Sequence, residues 1–339
     1  MKRIQMLAVL AVGVALIGFR GVAAQAQPLR VMATTSILAD VAAQVAGDYA
    51  RVESLLPPDT DAHIYEPTTD DALRLSRADL LLTVGAGYES FVQRLIDNAG
   101  ADVPVIEASA GVTILRAGGH HEGEDPTASE PLGVLGTDVE CGVHSHEQDE
   151  ATASSDEHTH GDCDPHTWMN PLNVIIWAQN IADALAAADP ANADAYRENA
   201  DLYCDELQAL DIEIAGLVEQ LPPENRRLIT SHESLQYFAS RYGFEVVATV
   251  LPGANSGGEL DPQSLAALIA QVQAENVPVV FAEITANTAL AETVASEAGI
   301  QLVSDLYIEA LSEPDGPAST YLDLMRYNAQ RIVGALASA

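Results

Sequence analysis

The chain has 339 residues, 48% of them hydrophobic, and its 50 acidic residues against 15 basic ones give a formal net charge of −35. A negative field of this size disfavours nucleic acid and anionic membrane surfaces as partners, and it favours cations as ligands. An adaptation to salt predicts the same acidity, so charge alone does not choose between the two explanations.

The first 26 residues have the pattern of a secretory signal peptide. Two basic residues precede an apolar run at 6–19, and Ala24-Gln25-Ala26 forms a cleavage signal. The apolar run is too short to cross a bilayer, and no cysteine follows it as a site for a lipid anchor. We therefore expect a mature periplasmic protein that begins at Gln27, without membrane insertion. Its net charge is about −38, because 12 of the 15 basic residues follow position 26.

The segment 27–189 alternates short strands and helices. We predict strands at 29–34, 52–56, 80–84 and 103–106, and helices at 37–45, 68–76, 89–98 and 173–188. Such alternation at short spacing indicates a parallel sheet with helices on both faces. We therefore predict an N-terminal α/β lobe.

Residues 117–163 interrupt this alternation. They hold 12 acidic residues, six histidines and no lysine or arginine. A stretch of this composition buries too little apolar surface to order itself, so we predict a mobile insertion. Clustered histidines bind zinc readily, and the alternative is a solvated spacer without metal contact. The expected auxiliary metal contacts are His120, His121, His144, His146, His158 and His160.

Residues 190–221 form a predicted linking helix. Apolar side chains recur there at alternating spacings of three and four, which is one stripe along a helix of about 45 Å. In the segment 222–339 the alternation resumes, with strands predicted at 228–230, 244–250, 277–282 and 301–304, and helices at 235–242, 262–273, 288–297 and 318–336. The predicted fold class is therefore α/β, with two lobes of parallel sheet joined by one long helix.

The chain has three cysteines, and the sequence does not determine which of them form a disulfide. In an oxidising compartment, Cys141 and Cys163 could close the acidic insertion as a disulfide, while Cys204 lies on an apolar helical face and is predicted to be a core residue. The spacing Cys163-x-x-His166 is also typical of a metal site, so Cys163 as a metal ligand is the alternative.

Three histidines stand apart from the insertion. His63 and His166 lie in loops that lead into helices, His232 follows a predicted strand, and Asp305 follows another. Ligands of open parallel sheets bind beyond the carboxyl ends of the strands, so a cleft between the lobes could unite all four side chains. Three imidazoles and one carboxylate suit tetrahedral zinc. The alternative is that these four side chains are ordinary turn and helix-cap residues, because they are far apart in the chain and form no local metal-binding motif.

Four motifs, in this order along the chain, resemble those of one protein family. They are Asp59-x-Asp61-Ala62-His63-x-Tyr65-Glu66-Pro67-Thr68, Asp164-Pro165-His166-x-Trp168, Thr230-Ser231-His232 and Ser304-Asp305-Leu306-Tyr307. The family comprises the metal-specific solute-binding proteins of bacterial ABC importers, cluster A-I, which carry zinc or manganese. The resemblance implies two α/β lobes joined by a rigid helix, with the metal between them on His63, His166, His232 and Asp305.

The resemblance also implies a cargo and partners. Position 232 is histidine, where manganese carriers usually have glutamate, and this favours zinc. The histidine-rich insertion likewise resembles the zinc branch of the family. We expect a monomer that is not an enzyme and that delivers Zn²⁺ to an ABC importer permease. Glu283 is expected to orient a ligand, and an ordinary strand-end carboxylate is the alternative. Protons should compete for the imidazoles below pH about 6.5.

Three other functions remain open from the sequence. The cargo could be manganese or iron. A secreted zinc hydrolase would need an open coordination position and a base such as Glu233 or Glu283. A secreted adhesin could use the metal to hold its fold.

Overall fold

The computed structural model describes residues 28–117, 134–137, 141, 163–251, 260–285 and 287–338. The expected signal peptide and all six histidines of the insertion lie outside the described residues, so these interpretations stay predictions. Among the described residues, no helix combines the length and the apolar character needed to cross a membrane.

The first lobe is built on a four-stranded parallel sheet. Its strands are β1 (Leu29–Ala33), β2 (Ala50–Ser54), β3 (Leu80–Thr83) and β4 (Val105–Glu107), in the order β2-β1-β3-β4. Helices α1 (Ser36–Ala46), α2 (Thr69–Leu75) and α3 (Val92–Ala99) connect them. Helix α2 begins at a capping box, in which Thr68 and Asp71 each accept the other's backbone N–H. A short antiparallel pair, β5 (Ile114–Leu115) and β6 (Val134–Gly136), follows and was not predicted.

Two helices lead from the first lobe to the second. Helix α4 (Pro171–Ala188) begins with proline at its first position, where a missing N–H costs nothing, and Asn170 caps it. Helix α5 (Ala193–Val218) has 26 residues and therefore spans about 39 Å. It packs against α4 and α1 in the first lobe. The observed helix is shorter than the predicted helix 190–221 at both ends, because the 3-10 turn Pro190–Asn192 precedes it and Glu219 caps its C-terminus.

The second lobe repeats the plan of the first. Strands β7 (Arg227–Thr230), β8 (Glu245–Thr249), β9 (Val279–Glu283) and β10 (Gln301–Leu306) form a parallel sheet in the order β10-β9-β7-β8. Its helices are α6 (Gln236–Tyr242), α7 (Pro262–Glu275), α8 (Ala289–Ala298) and α9 (Tyr321–Ser338). Helix α9 packs on α5. The predicted α/β class with two lobes and a long helix is thus confirmed.

Hydrogen bonds tie the chain between β10 and α9 to the first lobe. Trp168 Nε1 donates to the carbonyl oxygen of Ile308 at 2.9 Å, and the backbone N of Leu311 donates to Ser36 Oγ at 3.0 Å. The carbonyl oxygen of Leu311 in turn accepts from the backbone N of Asp59 at 3.1 Å. This connection therefore faces the cleft with its backbone fixed to the opposite lobe.

Candidate metal centre

Three histidines and one glutamate meet between the lobes. One nitrogen or oxygen from each of His63, His166, His232 and Glu309 lies within 4.8 Å of the others. The Nε2 atoms of His63 and His232 are each 3.3 Å from His166 Nε2. Three ring nitrogens and one carboxylate oxygen around a common centre can hold a tetrahedral metal ion.

His63 lies in a 3-10 turn, Ala62–Ile64, that follows β2. The side chain of Asp61 caps this turn by accepting the His63 backbone N–H at 2.8 Å, and 9% of the His63 side chain is exposed. Burial lowers the pKa of His63 to about 4, although Glu309 opposes the shift. His63 is therefore neutral near pH 7 and has a lone pair for a metal.

His166 is held by the carboxylate two residues before it. Oδ1 of Asp164 accepts the His166 backbone N–H at 3.0 Å and lies 2.7 Å from His166 Nδ1. A proton on Nδ1 shared with Asp164 leaves Nε2 to face the centre, which is the orientation that metal-ligating histidines use. Burial acts to lower the pKa of His166, but Glu309 and Asp164 outweigh it and raise the pKa to about 9.

His232 follows β7, and its supporting carboxylate ends the neighbouring strand β9. Because Thr230 and Phe281 are register partners, His232 and Glu283 emerge side by side from the sheet. His232 Nδ1 lies 2.9 Å from Glu283 Oε1, and Ser231 Oγ donates to Glu283 Oε2 at 2.6 Å. Burial acts to lower the pKa of His232, but the carboxylates of Glu283 and Glu309 raise it well above its ordinary value.

Glu309 supplies the carboxylate of the cluster, and sequence reasoning missed it. Its side chain is fully buried, with Oε1 3.2 Å from both His166 Nε2 and His232 Nε2. Burial acts to raise the pKa of Glu309, but His166 and His232 hold it well below its ordinary value. The available signal was its place just beyond the carboxyl end of a strand of a parallel sheet.

Asp305 was predicted as the fourth ligand, and the structure corrects this assignment. Its Oδ1 accepts from Arg331 Nε at 3.0 Å and Nη2 at 2.9 Å, and its Oδ2 accepts from Tyr327 Oη at 2.9 Å. The physical reason is that β10 continues to Leu306, so Asp305 is still a strand residue whose side chain packs toward α9. The loop into the cleft starts later and brings in Glu309 instead.

Tyr88, from the loop after β3, supports Glu309 across the cleft. Its hydroxyl donates to Glu309 Oε2 at 2.6 Å, and its ring lies edge-on to His63 with centroids 4.9 Å apart. Burial and the charge of Glu309 raise the pKa of Tyr88 well above 10, so the phenol keeps its proton and remains a donor. Tyr88 thus fixes one carboxylate oxygen of Glu309, while the other faces His166 and His232.

The raised pKa of His166 changes the expected pH range of proton competition. The value expected from sequence was about 6.5, the ordinary imidazole pKa, whereas His166 reaches about 9. Protons therefore compete with a metal for this ligand well above pH 7.

Cys163, the alternative ligand, is joined to Cys141 in a disulfide. Its sulfur is therefore not a thiolate, the form that binds metal. Cys204 is free and buried.

Fold and site together define a class: a two-lobed protein with metal-ligand side chains converging between the lobes. The chain belongs to the family described as the periplasmic zinc-uptake complex component A, ZnuA, which matches residues 31–335. Members of this family are metal-binding, substrate-binding proteins of ABC importers and not enzymes, so the hydrolase alternative is excluded.

Individual relatives are similar over nearly the whole chain. The iron-binding protein YfeA of Yersinia pestis is 31% identical over 307 residues, which cover 91% of this chain and 86% of that protein. The manganese-binding lipoprotein MntA of Halalkalibacterium halodurans is 29% identical over 316 residues, which cover 93% and 91%. The Mn-bound periplasmic metal binding protein of Candidatus Liberibacter asiaticus has a TM-score of 0.71 at 28% identity, covering 90% of this chain and 98% of that chain.

Proposed function

We propose that this protein captures Zn²⁺ in the periplasm and delivers it to the membrane permease of an ABC importer. The cluster of His63, His166, His232 and Glu309 carries the proposal, with its candidate ligand atoms within 4.8 Å of one another. Three imidazole nitrogens and one carboxylate suit zinc, whereas manganese prefers sites rich in oxygen. The family's description as a zinc-uptake component supports the same cargo.

The proposed site is closed. Four protein ligands complete a tetrahedral shell around zinc and leave no position for a reactive water. Asp164 and Glu283, behind His166 and His232, are placed to orient the two rings and to raise their basicity as ligands. These features favour transport of a metal ion over catalysis at the metal.

Manganese or iron is the second candidate cargo. The relatives YfeA and MntA, named for iron and manganese, are 31% and 29% identical to this chain. Against this, an imidazole at position 232 supplies nitrogen where a hard cation would gain more from oxygen.

A competition titration separates the two cargos. We expect metal-free wild type that has been loaded with Zn²⁺ to retain it against about a 100-fold excess of Mn²⁺, because nitrogen ligands favour zinc. His232→Glu replaces a nitrogen by oxygen and should narrow this preference. Displacement of zinc by an equal concentration of manganese would overturn the zinc assignment, and failure to bind either ion would overturn metal capture.

The histidine-rich insertion is proposed to gather zinc weakly for the main site. Replacing its six histidines with serine retains the Cys141–Cys163 disulfide that closes the insertion. We expect the variant to lose weak additional zinc ions in equilibrium dialysis while the main site keeps its affinity. Equal zinc stoichiometry and equal uptake in the wild type and the variant would eliminate this role.

The proposal also includes a monomeric protein and a permease partner. Analytical sedimentation tests the monomeric state, and a pull-down with the permease tests the partner.

A further inference from the structure

One buried hydroxyl joins the lobe that carries His232 to the chain segment that carries His166. Tyr237 lies on α6, and 3% of it is exposed. Its Oη donates to the backbone carbonyl oxygen of Asp164 and accepts from the backbone N of Leu115, each at 3.0 Å. Leu115 and Asp164 belong to the first lobe, so this single group bridges the two halves of the molecule.

The bridge meets two paired segments of the first lobe. The backbone N of Asp164 donates to the carbonyl oxygen of Leu115 at 2.9 Å, and Arg116 and Cys163 form an antiparallel β-bridge beside it. The Tyr237 hydroxyl therefore binds both segments where they are already held together. The position of Asp164 is in this way fixed relative to α6.

Asp164 passes this constraint on to the metal centre. Its carboxylate accepts the His166 backbone N–H and contacts His166 Nδ1, so displacement of Asp164 displaces the imidazole. Helix α6 begins shortly after His232, whose Nε2 lies 3.3 Å from that of His166. His166 and His232 approach from opposite sides of the cleft, and Tyr237 thus lies on a continuous chain of contacts between them.

A tyrosine hydroxyl suits this place because it donates one hydrogen and accepts another at the same oxygen. Phenylalanine would preserve the ring packing but leave one buried backbone donor and one buried acceptor without this partner. Buried polar groups in that condition are costly, and the segments relax to relieve the cost. The distance between His166 and His232 would then be less well fixed.

We propose that Tyr237 is a positioning residue for metal binding, which sets the separation of His166 and His232 across the lobes through Asp164. The inference rests on the metal-capture function proposed above and deepens it. Tyr237 acts from behind the ligands, and its loss releases the metal faster rather than removing a ligand.

The test compares two tyrosine hydroxyls on the same helix. Tyr242 is also buried, and its hydroxyl donates to Asp211 Oδ1 at 3.1 Å, toward α5 rather than toward the metal centre. For Tyr237→Phe we expect the Kd for Zn²⁺ to rise about tenfold, mainly through a faster dissociation rate, as for other residues that support a ligand. The absorption spectrum of bound Co²⁺ should also change, because it reports ligand geometry. Tyr242→Phe should match the wild type in both measurements.

The outcomes separate this inference from the function on which it rests. If Tyr237→Phe binds Zn²⁺ and Co²⁺ as the wild type and Tyr242→Phe do, the positioning role is wrong. If the wild type binds neither ion, the proposed function fails first.

A second measurement needs no variant and so does not depend on the folding of one. In the wild type, the amide of Leu115 should exchange its hydrogen more slowly when Zn²⁺ is added, because the metal and Tyr237 hold the same segments. The amide of Leu265, which donates to the carbonyl oxygen of Asp261 in the second lobe, serves as the control. Equal exchange of Leu115 with and without zinc would overturn the proposal.

Discussion

Buried carboxylates raise the pKa of two of the three histidines at the candidate metal centre. Burial alone would lower the pKa of His166 and of His232, yet Glu309, with Asp164 and Glu283 behind the rings, raises both. His63, which burial dominates, has its pKa lowered to about 4. Near pH 7 the raised pKa values favour the protonated forms of His166 and His232, whereas His63 is neutral.

This protonation predicts proton release on metal binding. At pH 7.5, zinc should displace about two protons, from His166 and His232, because a ligating imidazole must be neutral. His63 should contribute none, since it is already neutral at this pH. Affinity should accordingly rise with pH through the range near 9 in which His166 loses its proton in the free protein. Calorimetry in buffers of different ionisation enthalpy measures the number, and a value near zero would contradict the assignment.

Two variants test whether Glu309, rather than the predicted Asp305, is the carboxylate ligand. Glu309→Gln removes the negative charge from the centre, so its zinc affinity should fall by more than the roughly 10- to 100-fold typical of a supporting residue. Asp305→Asn alters a half-exposed pair with Arg331 and should leave zinc affinity unchanged. Isothermal titration of both variants checks this. The reverse order of effects would restore Asp305 as the ligand.

At the scale of elements, the disulfide fixes one end of the insertion beside the metal centre. Cys163 directly precedes Asp164, which holds His166. Cys141 packs against Gly87, where a Cβ would stand 3.1 Å from the Cys141 carbonyl oxygen and where φ is +78°. A glycine is needed there because of both the close approach and the left-handed backbone.

Removing the disulfide should destabilise the fold. The two cysteines are 22 residues apart, and closing a loop of that length lowers the entropy of the unfolded chain by an amount worth roughly 3 kcal/mol. The double variant Cys141→Ser, Cys163→Ser should therefore lose about that much free energy of unfolding in denaturant titrations of the metal-free protein. Cys204→Ser keeps the disulfide and is the matched control. An undiminished free energy of unfolding in the double variant would contradict the prediction.

Considered as a whole molecule, the protein gathers its candidate ligands from both lobes but does not depend on a metal for its core. One hydrophobic cluster runs through the first lobe and into the second, with Trp168, Leu207 and Phe238 fully buried in it. A second cluster covers the other face of the sheet in the second lobe. We therefore expect the chain to fold without metal and the metal to add stability by linkage.

A chelator experiment checks this and separates carriage from a structural use of metal. With EDTA, near-UV circular dichroism should still show a folded protein. Zinc at about 100 times its Kd should raise the free energy of unfolding by about 2.7 kcal/mol, since it binds only the folded state. Unfolding in EDTA would instead favour a metal that holds the fold, as in the adhesin alternative.

The fold class and three of the four candidate ligands were predictable from the sequence. Strands and helices with distinct hydrophobic periods specify the two sheets, and isolated histidines at strand ends stand out because imidazole is a strong metal ligand. The ends of strands and helices were harder to predict. Strand β10 extends two residues beyond its predicted end at position 304, because its backbone pairs with β9 as far as Leu306.

Which carboxylate faces the cleft depends on contacts between distant parts of the chain. Asp305 and Glu309 are both acidic residues near the end of the same strand, and nothing local distinguishes them. Arg331 on α9 draws Asp305 away, while the hydrogen bond from Trp168 to the carbonyl of Ile308 turns Glu309 toward the histidines. Both contacts join residues far apart in the chain, and a side chain's partner at such a distance depends on packing that local periodicity does not encode.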